Sequence, residues 1–404
     1  MNLASSTTKW NVWVGIIVSA LSLLPAQSWA QIRGKVAALA PTELVLVVDA
    51  KGNELVSQNV AKPFVPASVA KIVTASLAME VLGADHRFET SFFLDGNRML
   101  YVRGGGDPFL ISEELAQLAS ALVAAIGKQP LRGVVLDASY YPSDIRIPGI
   151  EQTGEAYDAL NSALAVNFNT IHAARKGKTV ISAEEQTPIT PLAVSQFLAR
   201  GPNGRARISL TQEPSVGLLY AGELIAAFIE RAGGSVKGKV STGVVPPGLQ
   251  PVYVHRQSRS LSIILSEMLR GSNNYVANQI FLEMGGYRLG GPVSLEKSLR
   301  VTNEGLAKRG LAGSIQLEEG SGISRRNSLT ARGLVQLLDR FEPHATLLRK
   351  GDGAYFKTGT FSGVRTLAGY ADTSKHGRVR FVISIKGNNS AMRFRLLKLI
   401  RSEL

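Results

Sequence analysis

The amino-acid sequence predicts a mixed α/β (α+β) fold in which one domain is interrupted by a large inserted module. Strand-like runs lie near both ends of the chain, at residues 44–60 and 355–385. Helical periodicity follows the first run and returns after residue 260. Residues 88–254, between them, have shorter segments of a different character. Two distant pieces of chain are therefore expected to form one domain around an insert.

The first 30 residues have the layout of a secretory signal peptide, with Lys9, an apolar run over 12–24 and Ser28-Trp29-Ala30. The apolar run is shorter than the roughly 20 residues of a spanning helix. Cleavage after Ala30 is therefore favoured over an uncleaved membrane anchor. The chain is expected to be periplasmic or otherwise exported. Its lack of cysteine fits a bacterial periplasm or cell surface, and it excludes thiol catalysis.

The remaining residues are enough for two or three domains. Residues 31–87 and 255–404 are expected to form the interrupted domain. Residues 88–254 form the inserted module, with a subdomain nested at about 145–213.

The net charge of +14 favours anionic partners such as wall polymers or a membrane surface, the alternative being a mixed surface with no specific partner. No dense Lys/Arg run is interleaved with aromatics, so nucleic acid is not an expected partner. The five histidines are isolated, and neither a metal nor another cofactor is expected.

Local patterns predict the elements of the interrupted domain. An antiparallel hairpin (Leu44–Asp49 with Glu54–Val60) precedes a buried helix at Ser68–Leu82. A helix at Ser260–Arg270 ends at Gly271, and Ser272 begins the next one. Three strands and a basic amphipathic helix follow: Tyr355–Thr360, Gly363–Ala371, Arg378–Ile385 and Ala391–Leu404. Packing of that last helix on a sheet is favoured over contact with a membrane surface.

The inserted module is predicted to contain both strands and helices. The strands are Phe88–Leu94 and Met99–Val102, followed by a glycine-rich turn at Gly104. Ser112–Ile126 and Val216–Ala232 are predicted helices. Small β-structure is expected at Gly177–Ser195 and Gly204–Gln212.

Three short motifs carry the chemical signal: Ser68-Val69-Ala70-Lys71, Ser272-Asn273-Asn274 and Lys357-Thr358-Gly359-Thr360. Each alone occurs by chance and has a structural interpretation, as a helix cap or a strand with a bulge. Together and in this order they indicate a serine acyl-transfer site, of the kind found in penicillin-binding proteins and serine β-lactamases.

A serine hydroxyl needs a neighbouring base to become a nucleophile. Lys71 lies three residues after Ser68, on the same helix face, and it can act if burial and a second cation, Lys357, lower its pKa. Ser272 could relay a proton, and Asn274 could orient Lys71 and a substrate amide.

The third motif suits substrate binding. Lys357 and Thr358 fit a carboxylate, and Gly359 permits close approach of a substrate backbone. The N–H groups of Ser68 and Thr360 are candidates for an oxyanion hole.

With these motifs the chain resembles the D-alanyl-D-alanine carboxypeptidase/endopeptidase family, the class C low-molecular-mass penicillin-binding proteins. The resemblance covers nearly the whole mature chain, including the insert. It also rests on three further stretches: Gly104-Gly105-Gly106-Asp107-Pro108, residues 319–325 with Asn327, and residues 363–370.

The resemblance implies a serine β-lactamase/transpeptidase-like domain, with Ser68 as nucleophile, Lys71 as base, and Ser272 and Asn274 as relay and orienting groups. It implies that Lys357, Thr358 and Thr360 are binding and oxyanion groups. The implied substrate is the peptidoglycan stem peptide, cut after a D-alanine through an acyl-enzyme, and β-lactams would be covalent inhibitors.

Two departures from the family pattern stand out. Glu319 replaces an aspartate that many relatives have, and residues 149–158 show no clear match to the segment that reads the stem's amine in some relatives.

Two other functions use the same residues. A β-lactamase or esterase would share the chemistry, but the large insert and the lack of an evident deacylating glutamate disfavour it. A penicillin-sensing or wall-binding protein would keep the pocket and turn over poorly, which the intact set of motif residues disfavours.

Overall fold

The structure is a computed structural model, and it describes residues 24–151, 153–210 and 212–404. The α-helices in these residues are α1 (Leu24–Leu39), α2 (Ala70–Val81), α3 (Ser112–Ile126), α4 (Pro191–Arg200), α5 (Pro214–Arg231), α6 (Leu261–Gly271), α7 (Asn274–Leu289), α8 (Leu295–Lys308), α9 (Ala331–Phe341) and α10 (Ser390–Glu403). The strands are β1 (Leu44–Val48), β2 (Glu54–Gln58), β3 (Glu89–Leu94), β4 (Met99–Gly104), β5 (Gly133–Asp137), β6 (Thr170–Lys176), β7 (Thr179–Ser182), β8 (Gly204–Ser209), β9 (Val240–Thr242), β10 (Pro251–Arg256), β11 (Ile315–Gln316), β12 (Ser328–Leu329), β13 (Arg349–Gly351), β14 (Ala354–Phe361), β15 (Val364–Thr373) and β16 (Gly377–Lys386).

The largest sheet joins the two ends of the chain. Its order is β13-β14-β15-β16-β1-β2, and every pair is antiparallel. β1 pairs with β16 from Leu44 opposite Ser384 onward, and all five of its residues are buried because helices cover both faces of the sheet. The predicted hairpin and the three predicted C-terminal strands are confirmed.

One face of this sheet packs against α1 and α10. Ile32 and Val36 of α1 and Leu396, Leu397 and Ile400 of α10 are buried there with residues of the central strands. The sequence interpretation that the C-terminal helix packs on a sheet is confirmed, while Arg395 and Lys398 stay exposed on its outer side. The opposite face contacts a second core that contains α2, α6, α7 and α9.

Residues 89–256 contribute a separate five-stranded sheet of order β10-β3-β4-β5-β9. Another hydrophobic core lies between the five-stranded sheet and helices α3 and α5, and it extends to the three-stranded sheet β7-β6-β8. The helices α3 and α5 lie where the sequence predicts them.

The prediction of β-structure throughout Gly177–Ser195 is wrong at its end, because Pro191–Arg200 form the helix α4. The Thr190 hydroxyl caps this helix by accepting a hydrogen bond from the Ala193 N–H at 3.2 Å. Pro191 occupies the first turn, where its fixed φ and missing N–H favour a helix start. The Thr-Pro pair was therefore the available signal for this helix.

Most of the predicted signal peptide, residues 1–23, lies outside the described residues. The helix α1 spans Ala30, the predicted cleavage position, and its residues Ile32 and Val36 are completely buried. Within the described ranges, none of the helices combines the length and the apolar character that crossing a membrane requires.

Candidate active site

Ser68 lies in a short 3₁₀ turn, Ala67–Val69, that leads directly into α2. Ala67 has a φ of 49°, a left-handed conformation that few residues other than glycine adopt. The turn is tied to the large sheet because the Thr366 hydroxyl on β15 donates to the Pro66 carbonyl at 2.7 Å. This contact fixes the nucleophile candidate against β15, the strand that pairs with β14, which carries the third motif.

Gly359 makes this close approach possible. A Cβ at this position would lie 2.1 Å from Thr366 Oγ1 and 2.6 Å from the Pro66 carbonyl oxygen. Both distances are far below van der Waals contact, so β14 and the Ser68 turn can meet only at a glycine.

Lys71 is completely buried one helical turn after Ser68. Its Nζ donates to Ser68 Oγ at 3.1 Å, to Asn274 Oδ1 at 2.7 Å and to the Ser321 carbonyl at 2.7 Å. The structure therefore brings the first two motifs together around one amine.

The prediction that Ser272 begins a helix is wrong. Ser272 has φ 56° and ψ 35°, and it forms a left-handed turn between α6 and α7. The following helix starts at Asn274, and the Asn273 side chain caps it by accepting from the Val276 N–H at 3.1 Å. This turn directs Ser272 Oγ toward Lys357, whose Nζ donates to it at 2.8 Å.

Lys357 is nearly buried, with 3 % of its surface exposed, and its Nζ also donates to the Thr358 carbonyl at 2.9 Å. A cavity of about 850 Å³ opens in front of these groups, and Ser68, Ser272, Asn274 and Thr360 line it. The two buried lysines contact this lining from behind. A substrate in the cavity would meet hydroxyl and amide groups whose other side bonds to the Nζ atoms of the two lysines.

Burial lowers the pKa of Lys71 well below its usual value, and the positive charge of Lys357 lowers it further. The negative charge of Glu319 acts in the opposite direction. Burial, followed by the charge of Arg393, lowers the pKa of Lys357 to about 7. The direction predicted for Lys71 and both of its causes agree with the structure.

Glu319 forms a buried support behind Lys71 that the motifs did not reveal. Its carboxylate accepts hydrogen bonds from the Ser321 N–H and hydroxyl, both at 2.7 Å, and from Asn327 Nδ2 at 2.5 Å. These bonds hold the loop whose Ser321 carbonyl accepts from Lys71. The signal in the sequence was the family-like stretch from Glu319 with Asn327, which had no assigned role.

Arg393 of α10 is the other residue that sequence reasoning missed. The residue is 7 % exposed, and its Nη1 donates to the Gly359 carbonyl at 2.7 Å and to the Thr366 carbonyl at 3.1 Å. Arg393 lies on the same helical stripe as the buried Leu397 and Ile400. A charged residue on an apolar stripe was the available signal.

The two acidic residues near the cavity differ in whether they could contact a substrate. Asp158 lines the cavity, but it is 1 % exposed and its carboxylate accepts from the N–H groups of Glu151 at 3.2 Å and Thr153 at 3.3 Å. Glu155 is exposed, and the cavity lining does not include it. No group of three metal-ligating side chains occurs in the described ranges.

A family model described as "D-Ala-D-Ala carboxypeptidase 3 (S13) family" matches residues 34–197 and 202–350. The chain belongs to this S13 family. A D-alanyl-D-alanine carboxypeptidase from Actinomadura sp. (strain R39) is 30% identical over 429 residues, covering 85% of this chain and 78% of the relative. The enzyme class predicted from the sequence, a serine D-Ala-D-Ala carboxypeptidase, is confirmed by this membership.

Solved structures show the same fold. Penicillin-binding protein 4 (dacB) from Haemophilus influenzae superposes with a TM-score of 0.74 at 20% identity, covering 91% of this chain and 98% of that one. The same protein is also known complexed with a β-lactam. A penicillin G-acylated predatory endopeptidase, Bd3459 from Bdellovibrio bacteriovorus, reaches 0.51 at 16% identity, with coverages of 89% and 90%. The predicted transpeptidase-like fold is confirmed, and S13 membership supports a peptidoglycan DD-peptidase.

Proposed function

We propose that this chain is an exported serine DD-peptidase that cleaves peptidoglycan stem peptides through an acyl-enzyme on Ser68. One observation carries the proposal. Lys71 is completely buried, its Nζ lies 3.1 Å from Ser68 Oγ, and its pKa is strongly lowered. A neutral amine in hydrogen-bond contact with a serine hydroxyl is the arrangement that general-base activation requires.

In the proposed acylation, Ser68 Oγ attacks the carbonyl carbon between two D-alanines, and its proton passes to Lys71 Nζ. The N–H groups of Ser68 and Thr360 stabilise the oxyanion. The C–N bond then breaks, and Lys71 returns the proton to the leaving amine through Ser272. Asn274, hydrogen-bonded to Lys71, orients the amine and the substrate amide. Water hydrolyses the resulting ester and regenerates the Ser68 hydroxyl.

The third motif binds the end of the substrate in this proposal. The sequence assigns the terminal carboxylate to Lys357 and Thr358 and the approach of the substrate backbone to Gly359. Of this motif only Thr360 is among the residues that line the described cavity, so Lys357 would act on the carboxylate through Ser272, to which its Nζ donates, and Thr360 would contact the substrate directly. β-Lactams present a similar amide and carboxylate, and they would remain attached to Ser68 as esters. The β-lactam complex of penicillin-binding protein 4 and the penicillin G-acylated endopeptidase support this part. The chain would then act as a carboxypeptidase, an endopeptidase or both.

We also propose that the chain is exported, that it has the domain boundaries expected from the sequence, and that it contacts an anionic surface. Export rests on the signal-like pattern of residues 1–30 in the sequence. The separate sheets support an interrupted peptidase domain at 31–87 and 255–404 with a module at 88–254. The three-stranded sheet supports a nested subdomain at about 145–213. Exposed Arg395 and Lys398 on α10 support peripheral contact with an anionic wall or membrane surface.

The test compares the wild type with Ser68→Ala and with Ser120→Ala, which changes an exposed serine on α3. Each protein is incubated with a fluorescent penicillin, a pentapeptide ending in D-Ala-D-Ala, and cross-linked muropeptides. We expect labelling and D-alanine release or cross-link cleavage in the wild type and Ser120→Ala, and neither in Ser68→Ala. Labelling without peptide cleavage would favour a penicillin sensor, and rapid loss of the label would favour a β-lactamase.

A further inference from the structure

A second cavity, of about 620 Å³, lies where the edge of the five-stranded sheet meets α7. The carboxyl ends of β4 and β10 and the amino end of β3 meet at this edge, and Gly104, Arg256 and Glu89 line the cavity there. Glu283 and Tyr287 of α7 complete the wall.

This cavity is separate from the one at Ser68. A helix turns about 100° per residue, so Glu283 and Asn274 project from opposite sides of α7. Among the described residues, none lines both cavities. A ligand here would bind without occupying the catalytic groove.

The glycine-rich stretch that follows β4 builds the floor of this cavity. A Cβ on Gly106, which has a φ of 76°, would lie 1.9 Å from Glu283 Oε1. A Cβ on Gly105 would lie 2.3 Å from the Glu89 carbonyl oxygen. Gly106 therefore lets the backbone pass directly against the Glu283 carboxyl group, and Gly105 lets it pass against β3, roles that the proposed acyl transfer does not require.

Glu283 is a buried acid without a part in the proposed peptidase chemistry. Only 5 % of its surface is exposed, and Tyr141 Oη donates to its Oε1 at 2.7 Å while Tyr140 Oη donates to its Oε2 at 3.3 Å. Burial raises the pKa of Glu283 to about 8, so the group is largely neutral at pH 7. A buried, strongly perturbed acid beside a cavity is a candidate functional group.

The charged groups of the walls are largely balanced. Arg256 pairs with Glu89 at 2.8 Å, and Arg103 pairs with Asp137 at 3.1 Å. Each guanidinium has five N–H donors, so donors remain for a ligand. A ligand of one charge sign would gain little here, whereas a neutral ligand with many hydrogen-bonding groups would find partners on several sides.

Aromatic side chains form another part of the cavity wall. Tyr287 is 57 % exposed, and its ring centroid lies 5.5 Å from that of His86, which itself lies 4.9 Å from the Phe88 ring. Aromatic faces offer apolar contact area, while tyrosine hydroxyls and charged groups fix orientation. The cavity therefore suits a neutral ring that has one apolar face and carries hydroxyl and amide groups.

We propose that this cavity binds an N-acetylated amino sugar of a glycan strand. The sugar ring would lie on Tyr287, and its amide and hydroxyl groups would bond to Glu283 and the arginines. The choice of the wall glycan as the source rests on the proposed function. Such a site would hold the enzyme on the polymer whose stem peptides it cleaves.

The test uses the full chain and a tetramer of N-acetylglucosamine, with binding measured by isothermal calorimetry and saturation-transfer NMR. Tyr287→Ala removes an exposed ring, and Ile181→Ala, which is 58 % exposed on β7, is the matched control. We expect binding about tenfold weaker in Tyr287→Ala, as for truncation of a binding hot spot, and unchanged in Ile181→Ala. No binding by the wild type, or equal binding by the two variants, would overturn the proposal.

Further measurements separate this proposal from the peptidase proposal. Penicillin labelling and pentapeptide cleavage are recorded on the same samples, and we expect Tyr287→Ala to leave both unchanged. If the wild type shows neither labelling nor cleavage but binds the sugar, only the peptidase proposal is refuted. Glu283→Gln should also weaken sugar binding. Binding of inorganic phosphate with protection of Tyr287 signals, and none by the sugar, would replace the sugar site with an anion site.

Discussion

Arg393 Nη1 donates to the Gly359 carbonyl at 2.7 Å, so a buried guanidinium on the last helix holds the third motif from behind. The same Nη1 donates to the Thr366 carbonyl on the neighbouring strand. No salt bridge joins Arg393 to a carboxylate within the described residues, and its positive charge acts on Lys357. The C-terminal helix therefore contributes to the electrostatics of a site whose motifs lie far away in the sequence.

Arg393→Met should shift the alkaline limb of peptidase activity to higher pH. Lys357 loses its proton as the pH rises through about 7, and its carboxylate binding weakens accordingly. Removing the Arg393 charge raises the pKa of Lys357, so the ammonium persists to higher pH. The pH profile of kcat/KM for a D-Ala-D-Ala peptide measures this. Arg393→Lys keeps the charge and should have a pH profile near that of the wild type. If the alkaline limb lies at the same pH in all three proteins, the effect of the Arg393 charge on Lys357 is refuted.

Glu319→Gln should move the acid limb of Ser68 acylation to lower pH. The Glu319 charge raises the pKa of Lys71, so its removal keeps Lys71 neutral in more acidic solution. The amide has one acceptor oxygen where the carboxylate has two, and we expect a loss of about 1–3 kcal/mol in the free energy of unfolding for each donor left unsatisfied. Acylation rates with a fluorescent penicillin across pH, with thermal unfolding alongside, check both effects. Glu319→Asp retains the charge and should leave the limb in place.

Gly359→Ala should weaken both stability and acylation. The added Cβ would collide with Thr366 Oγ1 and the Pro66 carbonyl, which would separate β14 from the Ser68 turn. Overpacking of this kind costs about 1–3 kcal/mol. Gly96→Ala is the control, because a Cβ there meets no atom within 4 Å. The free energy of unfolding, measured with denaturant, and the penicillin acylation rate should both fall for Gly359→Ala and stay unchanged for Gly96→Ala. A normal acylation rate in Gly359→Ala would contradict the contact between β14 and the Ser68 turn.

Ser272→Ala should slow acylation by roughly 10²–10⁴-fold, the usual effect of losing a proton-transfer group. It also removes the oxygen that accepts from Lys357 Nζ at 2.8 Å. Ser262→Ala on α6 is the control, since Ser262 does not line the Ser68 cavity. Stopped-flow measurement of β-lactam acylation distinguishes them. An unchanged rate for Ser272→Ala would remove it from the proton pathway.

Local sequence patterns predict much of the fold. The hairpin, α2, α3 and the C-terminal strands follow from periodicity and turn residues that act over a few positions. The helix α4 was missed because its segment alternates like a strand, although Thr190 and Pro191 marked its start. The left-handed turn at Ser272 was missed because a serine after a glycine is also a common helix cap.

The sequence predicts the motif residues of the candidate site but not the residues that support them, and the reason differs from that for the fold. Motif residues are recognisable by type and order, and the structure gathers Ser68, Lys71, Ser272 and Asn274 as expected. Glu319 and Arg393 act through contacts made only after folding, and neither belongs to a catalytic motif. Burial of a charged residue depends on tertiary packing, so its effect on the pKa of Lys357 or Lys71 could not be obtained from local pattern.

The most direct test of the acyl-enzyme account is the intact mass of the protein after incubation with benzylpenicillin, followed by peptide mapping. We predict one added penicillin per chain, located on the peptide that contains Ser68 and absent from Ser68→Ala. An unmodified wild-type protein, or an adduct that persists in Ser68→Ala, would contradict the account.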